Sequence, residues 1–347
     1  MVEVAGKTEQ LRIPVWKYLL FLFLLLAILL LVMYFLLASN FGASNSLMET
    51  IRRYLSFTSA FHPNLKPEDN FDNALRIHGV EKAGPKRFYM FVSATGNDAA
   101  PIKVMQTTEV QLSAKDNSGK DLNVIVDRVR PLHLYSEWPD PVSFANVMDY
   151  SGSMFPEDIK AIESNFSALV NELVMPFAAA VVKFNNTVRE ILNLSTDKNA
   201  VLDAIKKAIP LQNTALFDGI DKGVEKVQAR PHLRFIVLTT DGNDNASQAS
   251  LEDVIRRCRQ HNVSVFSFGF GWLDVNSLKI LSDETEGYYS YVTDSSNLDD
   301  WFKKLGQIIN NVQVIEFSTD SDVNQPSSVD LTIDHNSKKL SRSRSWP

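Results

Sequence analysis

Cysteine is almost missing from this sequence of 347 residues: Cys258 is the only one, and that excludes any internal disulfide. It falls in "SLEDVIRRCRQHN", which reads as a helix, so a small buried thiol is the expectation. The fold must then stand on its apolar core, and 45% hydrophobic residues supply one. A basic excess is missing as well. The formal net charge is −6, which argues against a nucleic-acid partner, because such proteins carry a basic face that displaces counterions from phosphate. The one basic stretch, "SKKLSRSRSWP" at the C-terminus, reads as a solvated tail.

Charge is absent altogether between Lys17 and Glu49. Within that gap, residues 18–38, "YLLFLFLLLAILLLVMYFLLA", are entirely apolar or aromatic. At about 1.5 Å per residue they reach about 31 Å, the thickness of a bilayer core. A buried helix would keep a polar face, and a cleaved signal peptide would carry a shorter apolar stretch. The expectation is an uncleaved transmembrane signal-anchor. Lys7, Arg12 and Lys17 precede the span, so residues 1–17 are expected in the cytoplasm and the rest in the periplasm or extracellular space.

Beyond the anchor the hydrophobic period changes three times. Residues 39–85 read as a juxtamembrane helix, "SLMETIRRYLSF", followed by a proline-containing linker. Residues 86–143 alternate apolar and polar side chains between turn signals, as in "TTEVQLSAKD", and predict a small β module with Ig-like strands. Residues 144–311 alternate short apolar strands with helices, which predicts an α/β domain, a doubly wound and mostly parallel sheet covered on both faces. In residues 312–347, "VQVIEFSTD" and "SSVDLTIDH" are again strand-like and are expected to pair with 86–132, completing the β module.

In such a sheet, ligands bind beyond the carboxyl ends of the strands. Three oxygen-rich loops fall there. "NVMDYSGSMF" carries Asp149, Ser151 and Ser153; "LQNTALFDG" carries Thr214; "LTTDGNDN" carries Asp241. Two carboxylates and three hydroxyls make a hard-oxygen donor set, which suits Mg²⁺, or alternatively Mn²⁺ or Ca²⁺, and does not suit zinc. A helix cap explains Asp149, Ser151 and Ser153 taken alone, but not Thr214 and Asp241 arriving at the same edge. An EF-hand is excluded, since counting Asp149 as position 1 puts Lys160 where a bidentate Glu belongs. A serine nucleophile lacks its elbow, G-x-S-x-G, and neither His232 nor His261 falls in a loop at this edge. Asn243, Asp244 and Asn245 read as loop polars, and Trp272 as either a rim contact or a core residue.

The pattern D-x-S-G-S at 149–153, the threonine at 214 and T-D-G at 240–242 resemble the von Willebrand factor A (VWA) domain and its metal-ion-dependent adhesion site (MIDAS). The resemblance covers about 144–311 and implies a Rossmann-like sheet with a divalent cation at its top. It further implies direct coordination by Ser151, Ser153 and Thr214, with Asp149 and Asp241 acting largely through water. Tyr150 is bulkier than the residue usual at that place and is expected to shape the rim. The whole chain is similar to bacterial membrane-anchored VWA proteins, though aerotolerance-type relatives usually carry another span after the A domain. What the resemblance implies for function is a non-enzymatic, membrane-anchored, cation-dependent adhesion module that captures an Asp or Glu side chain of a protein partner. The alternative is a structural or assembly subunit of a membrane complex, with a partner ATPase, in which the metal mainly orders the loops.

Overall fold

The chain divides into two units, Met1–Arg52 and Arg53–Pro347. The computed structural model describes residues 67–103, 106–209, 213–271 and 273–346, all in the second unit. The apolar run 18–38, the juxtamembrane helix and Trp272 lie outside the described residues. Among those described, no helix is long and apolar enough to cross a membrane.

Two strands open the described chain, β1 (Glu68–Asp69) and β2 (Leu75–Gly84), followed by β3 (Arg87–Ala94), β4 (Val110–Lys115), β5 (Asp121–Leu122) and β6 (Val124–Pro131). The α/β region then runs β7 (Val142–Asp149), α1 (Pro156–Glu172), β8 (Phe177–Phe184), β9 (Val188–Ser195), α2 (Lys198–Ile205), α3 (Leu216–Val227), β10 (Leu233–Thr240), α4 (Leu251–Gln260), β11 (Val263–Phe270), α5 (Val275–Glu284), β12 (Tyr289–Val292) and α6 (Asp299–Asn310). Three strands close the chain: β13 (Gln313–Thr319), β14 (Ser328–His335) and β15 (Lys338–Ser345).

The central sheet has seven strands in the order β1-β12-β11-β10-β7-β8-β9. Its edge strands β1 and β9 pair antiparallel and the rest are parallel. Every residue of β7, β8, β10 and β11 is buried, which is why these strands read as continuous apolar runs. Alternate side chains feed two cores. Phe144 and Met148 pack with Ile162 and Phe166 of α1 and Phe302 of α6, while Ala145 and Val147 pack with Ile220 and Val224 of α3, Val254 of α4 and Leu278 of α5. From β7 the chain adds β8 on one side and returns to add β10 on the other. The crevice between the ends of β7 and β10 is therefore the topological switch point.

Beside this sheet lie two four-stranded sheets, β2-β3-β13-β6 and β15-β14-β4-β5, enclosing Ile77, Phe88, Met90, Ile315, Phe317, Leu331 and Ile333. β13 lies antiparallel between β3 and β6, and β14 pairs with β4. Strands from both sides of the α/β region thus share one sandwich.

Two expectations need correction. Residues 67–85 are not linker: β1 extends the central sheet and β2 opens the sandwich. β2 was hard to read because its inward residues include Arg76 and His78, which are buried against partners far along the chain. Nor is the basic tail solvated. It forms β15, with Leu340, Arg342 and Arg344 turned inward at every second position and Arg344 only 6% exposed. Arginines at the inward positions hide the alternation from a hydropathy reading.

Candidate metal centre at the strand ends

β7 delivers Asp149 to the switch point, where its carboxylate is fully buried. Oδ1 accepts from the Ser151 amide at 2.7 Å, which folds the loop back on itself, and Oδ2 accepts from Thr240 Oγ1 at 2.6 Å, which ties β7 to β10. Ser153 Oγ donates to Asp241 Oδ1 at 2.6 Å, and the Ser151 and Ser153 hydroxyls lie 2.9 Å apart. Thr214, 3% exposed, reaches the same place: a Cβ added at Gly242 would stand 3.6 Å from both Ser153 Oγ and Thr214 Oγ1. Glycine there leaves room between the two hydroxyls. Asp149, Ser151, Ser153, Thr214 and Asp241 therefore meet at one edge, from three loops.

Among the described residues, no three of His, Cys, Asp and Glu gather as a metal cluster. Two carboxylates with three hydroxyls nevertheless fit a hard divalent cation, since they supply oxygen donors only and about two negative charges. His232 and His261 precede β10 and β11, at the opposite ends of the strands, so they give Ser151 and Ser153 no general base.

The residues beside the five hold the loops. Asp244 Oδ1 accepts from the amide of Leu216 at 2.8 Å and caps α3 just after Thr214. Asn245 Oδ1 accepts from the Thr214 amide at 2.9 Å, and Asn243 Oδ1 accepts from the amide of Asp274. At the start of α1, Pro156 occupies the first turn and Asp158 Oδ2 accepts from the Phe155 amide at 2.9 Å. The sequence placed Thr240 in the T-D-G motif but gave it no role; its hydroxyl holds the Asp149 carboxylate.

Tyr150 does not shape the rim. It is 1% exposed and turned under the loop, because its phenol has partners there: it donates to Glu163 Oε1 at 2.5 Å and accepts from Lys183 Nζ at 2.6 Å. Burial and the Glu163 carboxylate push the phenol's pKa up. Burial pushes the Lys183 amine down to about 8, against the pull of Glu163. The sequence signal for Lys183 was a lone charge inside the apolar strand "AAAVVKF".

The fold and site together define an α/β protein whose switch-point crevice gathers carboxylates and hydroxyls from three loops at the sheet edge. The sequence profile of the von Willebrand factor type A domain matches residues 145–304, the α/β region of this chain. It is similar to inter-alpha-trypsin inhibitor heavy chain H2 of Mesocricetus auratus, 27% identical over 197 residues. The match covers 50% of this chain and 21% of that protein, so the chain spans about a fifth of the curated relatives it matches. Among solved structures it resembles BatB from Bacteroides thetaiotaomicron, at 16% identity and a TM-score of 0.42, covering 48% of this chain and 98% of that one. It also resembles a von Willebrand factor type A protein from Catenulispora acidiphila, at 12% identity and a TM-score of 0.45, covering 81% and 73%.

Proposed function

We propose that this protein is a non-enzymatic binding module that captures an acidic side chain of a partner protein through a divalent cation, Mg²⁺ first among the candidates. VWA domains are commonly metal-dependent protein-interaction modules, and the observation that carries the reading here is the meeting of three loops. Asp149 and Asp241 are held at adjacent strand ends with Ser151, Ser153 and Thr214 beside them. When bound, the cation supplies a Lewis-acid position for a partner's carboxylate oxygen. Ser151, Ser153 and Thr214 are the direct ligands in this reading, and Asp149 and Asp241 orient them and offset the charge. Selectivity comes from the surface around the metal. The apolar run 18–38 serves as the anchor, which holds the domain on the periplasmic or extracellular side.

The test is equilibrium binding of Mg²⁺ and Mn²⁺ to the full chain in detergent, followed by capture of envelope proteins with Mg²⁺ or with EDTA. Asp149→Ala and Thr214→Ala should each abolish saturable metal binding and EDTA-sensitive capture, with circular dichroism unchanged. Capture that survives EDTA and both substitutions would sink the metal as the recognition element and favour an assembly subunit.

A further inference from the structure

We propose that Lys183 is a positioning residue for this site, tying the loop of Asp149, Ser151 and Ser153 to the loop of Thr214. The inference rests on the cation reading above. β8 lies next to β7, and its end touches both loops. Lys183 is fully buried, and its ammonium has three donors. They meet three acceptors: Tyr150 Oη at 2.6 Å, Ile205 O at 2.6 Å and Lys207 O at 2.7 Å. Tyr150 follows Asp149 directly. Ile205 ends α2, and Lys207 comes two residues later, ahead of Thr214 in sequence.

The next two residues repeat the tie with backbone. Phe184 O accepts from the Tyr150 amide at 2.8 Å, and Asn185 O accepts from the Ala215 amide at 2.6 Å. The last two residues of β8 and the one that follows it therefore hold both loops. The side-chain link is the one a sequence change can cut without altering the strand. Glu163 completes the link from α1, since it accepts the hydrogen bond of the Tyr150 hydroxyl and stands 3.7 Å from the ammonium. A buried amine is costly to desolvate, and an apolar residue would suit the strand better if packing were its only task.

Charge and position make opposite predictions. An ammonium beneath a cation site repels the cation, so removing it should tighten metal binding if electrostatics alone mattered. If Lys183 positions the loops, removing it should weaken binding. The test is Mn²⁺ binding to the full chain in detergent at pH 7, read by electron paramagnetic resonance, for wild type, Lys183→Met and Tyr150→Phe. The expected result is a dissociation constant raised about tenfold or more in Lys183→Met, as for other outer-shell partners of metal ligands. Tyr150→Phe, which removes only the hydroxyl, should raise it roughly threefold. Unchanged or tighter Mn²⁺ binding in folded Lys183→Met overturns the inference. If that variant fails to fold, the same result in Tyr150→Phe overturns it. A wild type that does not bind Mn²⁺ overturns the cation reading itself, and this one with it.

Discussion

His78 shows how much one residue can depend on a distant part of the chain. It lies on β2 with Nδ1 3.0 Å from Ser264 Oγ of β11 and Nε2 2.9 Å from Ser93 Oγ, and it is 2% exposed. Burial first, then the charges of Arg344 and Arg76, push its pKa down to about 3. The unfolded chain, with a histidine near 6.5, binds the proton more readily than the folded one between pH 3 and 6.5. Stability therefore falls as pH drops through that window, by at most about 1.4 kcal/mol per unit from this group, and His78 adds no pH dependence above it. Urea midpoints measured from pH 7 to 4 should fall less steeply in His78→Gln than in wild type. Parallel slopes would mean that the imidazole is already charged in the fold.

At the scale of elements, the turn from α5 into β12 is set by close approach. The Gly287 amide donates to Ser282 O at 2.8 Å, and a Cβ on Gly287 would stand 1.8 Å from Val265 O, backbone of the buried strand β11. Neither side can yield without breaking the ladder. Gly287→Ala should therefore cost more than about 3 kcal/mol, at or beyond the upper end of ordinary overpacking. Chemical denaturation reads this directly, and a loss under 1 kcal/mol would show that the turn does not press on β11 in this way. The first turns above the site are held differently, by side-chain caps: Asp244 accepts from the first amides of α3, and Asp158 accepts from the Phe155 amide at the start of α1.

For the whole described body, the consequential feature is the seam between sandwich and α/β sheet. Arg342 Nε donates to Glu286 at 2.9 and 3.0 Å, Glu286 Oε2 accepts from the Ile77 amide at 3.1 Å, and Arg76 pairs with Asp283 at 3.0 Å. Arg344 donates to Ile77 O and to Asn262 Oδ1, which the Trp346 indole also reaches at 2.6 Å. Removing Arg342 takes the guanidinium from Glu286, 5% exposed, and removing Arg344 takes the donors from Ile77 O and Asn262 Oδ1. Combined Arg342→Ala and Arg344→Ala should cost about 3–5 kcal/mol, the range for breaking a buried charge pair. Calorimetry should then resolve two transitions where wild type shows one. A single transition at an unchanged midpoint would show that the seam does not couple the two bodies.

What the sequence determined alone was whatever depends on local period and on residue type. Apolar strands alternating with amphipathic helices point to a covered parallel sheet, and such a sheet puts the ends of its strands, with Asp149 and Asp241, at one edge, where the loop of Thr214 joins them. The donor chemistry was legible for the same reason, since oxygen-only loops limit the ion they could hold whatever the fold's details. Tertiary structure decided the rest, wherever a residue's role is set by a partner far along the chain. Tyr150 turns inward because Glu163 and Lys183 wait beneath it. β15 is a strand and not a tail because Glu286 and Asn262 give its inward arginines a place. β13 takes its slot between β3 and β6 although the whole α/β region separates it from them in sequence. Burying a charge is feasible only where an opposite charge or a carbonyl already stands, and that is a property of the assembled fold.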